Sequence, residues 1–222
     1  NGRFLHLNNS GDSDASSNSN NITISDMKIT GYSKTTSGGA VRIEENISTN
    51  INFSNVHFHS NTLATSYEGG GAVHLEDGSA ATFTSCTFSS NSTTYQGGAI
   101  YSEGTTSNNN TLSLVKCKFY TNSASGSSSY GGAIESDYTA NTVTNCLFYE
   151  NTSGGYGGAI NNYYGSTTAF NNTFADNTAT NYYGGAIRCN YGTHTFTNCI
   201  LYGNSAGTYN DVFEGSGSIT LD

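Results

Sequence analysis

Four carboxylates recur at one position of a repeated box. Six residues after the first glycine of successive Gly-Gly-Ala-aliphatic boxes stand Glu44, Glu76, Glu103 and Asp137, and the same column continues with Tyr163 and Asn190. Acids stacked at strand spacing repel one another unless they are protonated or bridged by a cation. Hard oxygen ligands suit calcium, so these four are the candidate cation site. Carboxylates on such a surface are also the equipment of polysaccharide cleavage. The plain alternative is a set of exposed turn positions where acids are tolerated. No Lys or Arg is evident beside the column to act as base or clamp. We therefore expect no catalytic residue, no cofactor and no resident metal, with calcium as the one cation the column suits.

A second column is aromatic. Tyr67, Tyr95, Tyr130, Tyr156 and Tyr183 stand just before the glycines of their boxes, so stacking would make a surface row of rings that fits a glycan or a protein partner. Against that reading, neighbouring rings can stack on each other and shield a sheet edge. A third set is a double row of hydroxyls, Thr23/Ser25, Thr82/Thr84, Thr142/Thr144 and Thr195/Thr197, partly matched by Asn52/Ser54 and Ser113/Val115. Regular Thr-x-Thr on a flat parallel sheet resembles the contact face of β-helical ice-binding proteins, yet Thr is also the ordinary outward residue of a solvated strand. Cys86, Cys117 and Cys146 share one inward column, with Cys199 further on. Strand spacing permits a disulfide, but thiols also pack as small buried hydrophobes, which is the expectation here. His57 and His59 lack a third ligand.

The elements that must position these columns are strands. The chain has 222 residues, 27 Gly, no Pro, no Trp and 10% charged residues. Ser, Thr and Asn supply roughly two fifths of it, and good helix formers are scarce, which excludes a mostly helical fold. Disordered chains lack aromatics, whereas this one carries 16 Tyr and 11 Phe, so it buries a core. A net charge of -9 excludes a basic nucleic-acid-binding face. No apolar stretch approaches the ~20 residues of a spanning helix. Five Cys with no CxxC pair give no zinc or thioredoxin signature.

Self-similarity sets the architecture. Gly-Gly-Ala-aliphatic boxes begin at Gly38, Gly70, Gly97, Gly131, Gly157 and Gly184. Aromatic-x-x-Asn boxes fall between them, from Phe58 and Asn61 to Leu201 and Asn204, with Ile29 as an earlier copy. The second box steps by 29, 30, 31, 29, 26 and 27 residues. Alternation puts Val41/Ile43, Val73/Leu75, Ile100/Ser102 and Ile187/Cys189 inward, and turns Tyr101 outward, where Tyr101→Ser should cost little. A one-residue slip at Asp26, Asn55, Ser85, Lys116, Asn145, Asn171 and Asn198 marks a corner. The segment Ala169-Phe170-Asn171 reads as one residue short. About three short strands and three turns per repeat, stacked in parallel and wound right-handed, predict an all-β, right-handed parallel β-helix of about seven coils. Ile29, Phe58, Phe88, Phe119, Phe148, Phe174 and Leu201 should form one interior row.

These alternating boxes resemble the repeat of the polymorphic outer membrane proteins and of adhesin-like surface proteins in the pectin-lyase-like β-helix superfamily. The resemblance runs from about Ile22 to Val212. It implies a secreted, surface-displayed passenger or stalk, usually without catalysis. The expectation is one domain over residues 1–222, a piece of a longer rod or assembly, acting as an extracellular structural or adhesive module. A carbohydrate-active enzyme and an ice or glycan binder are the alternatives. Partners are further copies end to end, since the chain opens on Phe4-Leu5-His6-Leu7 and stops on Ile219-Thr220-Leu221; other surface proteins and glycans follow, with no nucleic acid and no direct membrane insertion. Asn-x-Ser/Thr sequons at Asn8, Asn21, Asn46, Asn52, Asn91, Asn109, Asn151 and Asn171 permit glycosylation in a eukaryotic host.

Overall fold

A computed structural model describes residues 2–7, 21–45, 50–65 and 67–222. The chain is an all-β solenoid of about seven turns. Each coil contributes strands to a 19-stranded parallel sheet system and to a separate 7-stranded ladder. In one central coil the strands are Ile100–Glu103, Asn110–Val115, Lys118–Tyr120 and Ser123–Ala124. The first three are the expected faces. The fourth is a two-residue ladder that alternation over so short a span does not reveal.

The anticipated rows form in register. Phe58, Phe88, Phe119, Phe148 and Phe174 stack face to face with centroids 4.6 to 4.9 Å apart. Val41, Val73, Ile100, Ile134, Ile160 and Ile187 line the neighbouring face and are buried. The corner column is left-handed throughout, at Asp26, Asn55, Ser85, Lys116, Asn145, Asn171 and Asn198. The segment at Ala169 is not short. Ala169 pairs with Val143 and Phe170 with Thr144, so only side-chain size drops there, and Phe170 points into solvent.

The asparagine of the second box is the device that joins coils. Asn122 Nδ2 donates to the Phe88 carbonyl at 3.0 Å, while its Oδ1 accepts from both Asn91 N and Asn91 Nδ2. The same pattern recurs at Asn61, Asn91, Asn151, Asn177 and Asn204, and all six are buried. Burial of an amide is tolerated because every donor and acceptor finds a partner. The paired glycines answer a different demand. Gly97 adopts φ +60°, and a Cβ on Gly98 would lie 2.0 Å from the Gly132 carbonyl oxygen of the next coil. Two of the sequons, Asn91 and Asn151, belong to the buried ladder and are closed to glycan attachment, whereas Asn21 and Asn109 are exposed. Asn8 and Asn46 lie outside the described residues.

Equilibrium urea denaturation should show Phe119→Ala losing about 3–5 kcal/mol, since it empties the middle of the stack. Asn122→Ala should lose at least about 2 kcal/mol, because the Phe88 carbonyl and the Asn91 amide are left buried and unpaired. A loss below ~1 kcal/mol in both would place the row and ladder at the surface.

Candidate functional site

Strand alternation on the first face produces two outward columns, not one. The first runs His6, Arg42, His74, Tyr101, Glu135, Asn161 and Arg188, and the second is the expected Glu44, Glu76, Glu103, Asp137, Tyr163 and Asn190. The missed column lies two residues before the acids, immediately after the aliphatic residue of each box. Its signal was present in the alternation that turned Tyr101 outward.

The carboxylates are answered by this neighbouring column and do not gather around a common centre. Arg42 Nε donates to Glu76 Oε1 at 2.7 Å, and Arg42 Nη1 lies 3.6 Å from Glu44. His6 meets Glu44 at 2.7 Å and His74 meets Glu103 at 3.1 Å. The hydrogen bond from His74 holds the Glu103 carboxyl below its ordinary value. Arg42 therefore supplies a cation that the sequence left unnoticed, while Arg188 in the same column bonds to Asn161. Among the described residues, no three His, Cys, Asp or Glu side chains converge as metal ligands, including at His57 and His59, which both bond to Ser89 Oγ. Glu44, Glu76, Glu103 and Asp137 each have a separate partner: His6, Arg42, His74 and Tyr101, respectively.

Tyr101 corrects the expectation of a dispensable surface ring. It faces outward but is only 4% exposed, stacked 4.8 Å from His74, with its hydroxyl donating to Asp137 Oδ2 at 3.1 Å. The approach of Gly69 covers it, since a Cβ there would sit 2.6 Å from the ring. Tyr101→Ser would therefore empty a buried slot.

The tyrosine row forms in part. Tyr130 and Tyr156 stack at 5.2 Å, and Tyr95 meets Tyr130 edge-on at 6.0 Å. Tyr182, not Tyr183, continues the stack on Tyr156 at 4.6 Å, while Tyr183 packs on Phe213. Tyr67 stands apart and is 86% exposed. Ring faces are thus largely taken by other rings. A second stack, Tyr138, Tyr164 and Tyr191, rises at a corner with spacings of 4.8 and 4.3 Å and positive φ at all three residues.

Between Tyr130/Tyr156 and Tyr163 lies a cleft of about 400 Å³ floored by Glu135, Asp137, Asn161, Arg188 and Asn190. Asn161 Nδ2 donates to Glu135 Oε1 at 2.7 Å, and Arg188 Nη1 donates to Asn161 Oδ1 at 2.9 Å. The Arg188 guanidinium also lies 4.5 Å from the Tyr156 ring centre. Burial, reinforced by the Asp137 charge, pushes the Glu135 carboxyl well up. Burial also pushes Asp137 up to about 6, against the opposing hydrogen bond from Tyr101. Both carboxyls thus favour the protonated form more than an exposed carboxyl does. Two buried polar atoms here have no hydrogen-bond partner, Glu135 Oε2 and Arg188 Nε.

The remaining columns are quieter. The hydroxyl double row is in register but broken in its second column by Val115 and Phe170. All five cysteines are free, and Cys86, Cys117 and Cys146 donate Sγ–H to carbonyls of the preceding coil. No helix among the described residues is long and apolar enough to cross a membrane.

Comparison with known proteins agrees with the geometry. A family model for the right handed beta helix region matches residues 48–221. The chain belongs to that family. No curated protein and no solved structure matches it. The family fixes the coil and leaves the cleft, which is particular to this chain's residues, to be interpreted on its own chemistry.

The folded pKa of both carboxyls exceeds the unfolded value, so their stabilising effect is complete in acid and fades as pH rises past about 4 and through the folded pKa. Glu135→Gln removes the larger share of this dependence. Thermal melts from pH 4 to pH 8 should show the parent falling relative to Glu135→Gln; parallel curves would mean that burial does not raise the Glu135 carboxyl.

Proposed function

We propose that this right-handed β-helix is an extracellular structural and adhesive module, a rod whose tyrosine-edged cleft holds a glycan. The observation that carries this reading is the open cleft itself, walled by Tyr95, Tyr130, Tyr156 and Tyr163 and lined by the amides of Gln96, Asn161 and Asn190. A hydroxyl both donates and accepts hydrogen bonds, as amides and phenols do between them. Sugars carry such hydroxyls in dense array, and the rim offers phenol groups and amides to match. The surface role is supported by the Gly-Gly-Ala-aliphatic and aromatic-x-x-Asn boxes that resemble adhesin repeats. Lengthwise association with further coils is the accompanying partner reading. A carbohydrate-active enzyme is the second reading, favoured by one observation: Glu135 and Asp137 lie together at the cleft beside Arg188 with both carboxyls raised by burial, as an acid and base pair requires.

A panel of immobilised neutral and acidic glycans, assayed for retention and for new reducing ends or unsaturated products, separates the two. Retention without product, weakened about tenfold or more by Tyr163→Ala, is expected for a hot-spot ring at the cleft wall, since Tyr163 meets its neighbouring rings at steep angles and is not stacked on either. Product formation that disappears in Glu135→Gln would replace the adhesive reading with the enzymatic one.

A further inference from the structure

A pair of imidazoles stands on a different face of the rod from the cleft. Val56 and Phe58 of the strand Asn50–His59 point into the core, so alternation sets His57 and His59 side by side on its outer surface, where both are half-buried. Their ring centres are 5.2 Å apart. The next coil places Ser89 in register with His59. His57 Nε2 lies 2.7 Å from Ser89 Oγ, and His59 Nδ1 lies 2.9 Å from the same atom. A hydroxyl has one proton to donate, so it serves only one of two neutral rings as donor, and the other ring must turn its own N–H toward the oxygen. Two nitrogens, two residues apart on one strand, thus converge on one point.

We propose that His57 and His59 chelate a divalent transition-metal ion of the copper, nickel and zinc class, with the Ser89 hydroxyl as a third, weaker donor. Imidazole nitrogen suits these ions. Donors bound at about 2.1 Å and at right angles stand about 3 Å apart, close to the nitrogen-to-oxygen separations already present. Small turns of two surface rings therefore admit the ion, which meets the imidazoles from solvent and keeps water in its remaining positions. Burial, with His59 and Lys28 nearby, holds the His57 imidazole below its ordinary value, and a neutral ring is the form that binds metal. The flanking positions in register are Lys28 and Thr30 on one side, and Thr87 and then Lys118 and Tyr120 on the other. None is a carboxylate, so the donor set selects against calcium and magnesium, which require oxygen ligands. Lys28 opposes the ion's charge and limits its affinity.

The test is calorimetric titration of the whole chain with Cu²⁺, Ni²⁺ and Zn²⁺ in a non-coordinating buffer near neutral pH. Cu²⁺ should bind most tightly, following the general order for such ligands. His57→Ala and His59→Ala should each weaken Cu²⁺ binding about tenfold or more. Lys28→Met should strengthen it about threefold at low salt, by removing an exposed like charge. The paramagnetic resonance spectrum of the Cu²⁺-loaded parent should show two coordinated imidazole nitrogens, falling to one in either single variant. Melting curves confirm that the variants fold, with His57→Gln and His59→Gln replacing any alanine variant that does not. Absence of binding by all three ions, or parent-like affinity and nitrogen count in both single variants, overturns the inference. Either result leaves the glycan reading standing, because these residues lie off the cleft.

Discussion

The rod depends on a buried amide that has nowhere else to go. In six successive coils an asparagine sits in the interior, and its side chain can be satisfied only if the neighbouring coil arrives at one height and in one register. A slip of a single residue would strand three hydrogen-bonding groups per coil in an apolar surrounding, a larger penalty than the phenylalanine stack could offset. The apolar rows supply the bulk of the driving force, while the asparagines determine which stacking is allowed. That division explains why repeat length varies while the strands keep registration. Extra residues are taken up in loops, such as the one holding Ser125 to Tyr130, which lie outside the asparagine ladder.

Much of this was legible in the residues, because a solenoid repeats its evidence. The phenylalanine row, the inward pairs and the left-handed corner column follow from spacing and alternation, and they recur often enough for isolated departures to stand out. The fourth, two-residue ladder was hidden because alternation needs more than two positions to declare itself. The supposed shortfall at Ala169 was a small side chain in an ordinary slot.

The cleft was half legible for a different reason. Glu44, Glu76, Glu103 and Asp137 draw attention as like charges in one column, but what a carboxylate does depends on the column beside it. That neighbouring column changes residue type at every coil, from Arg42 through His74, Tyr101 and Glu135 to Asn161 and Arg188, so no repetition flags it. Cross-strand pairing makes it the decisive one: basic partners pair with the early acids, and their replacement by Tyr101 and Glu135 leaves Asp137 beside a second carboxyl that is buried. A tyrosine that alternation turns toward solvent can likewise be covered by a loop from another coil, as the approach of Gly69 to Tyr101 shows. Burial by a distant segment is not written in the local pattern.

The corner stack of Tyr138, Tyr164 and Tyr191 has a consequence for how this surface can change. Left-handed backbone costs a bulky residue roughly 1–2 kcal/mol, and here the opposing benefit is contact with the rings above and below. Replacing the middle tyrosine by glycine would relax its own backbone while leaving the outer two strained and without their shared neighbour. The three positions are thus energetically interdependent, so the effect of one substitution takes its size, and even its sign, from the other two. Mutational drift along this edge should therefore proceed in blocks spanning adjacent coils, and single-site scans there will misjudge what paired or triple exchanges tolerate.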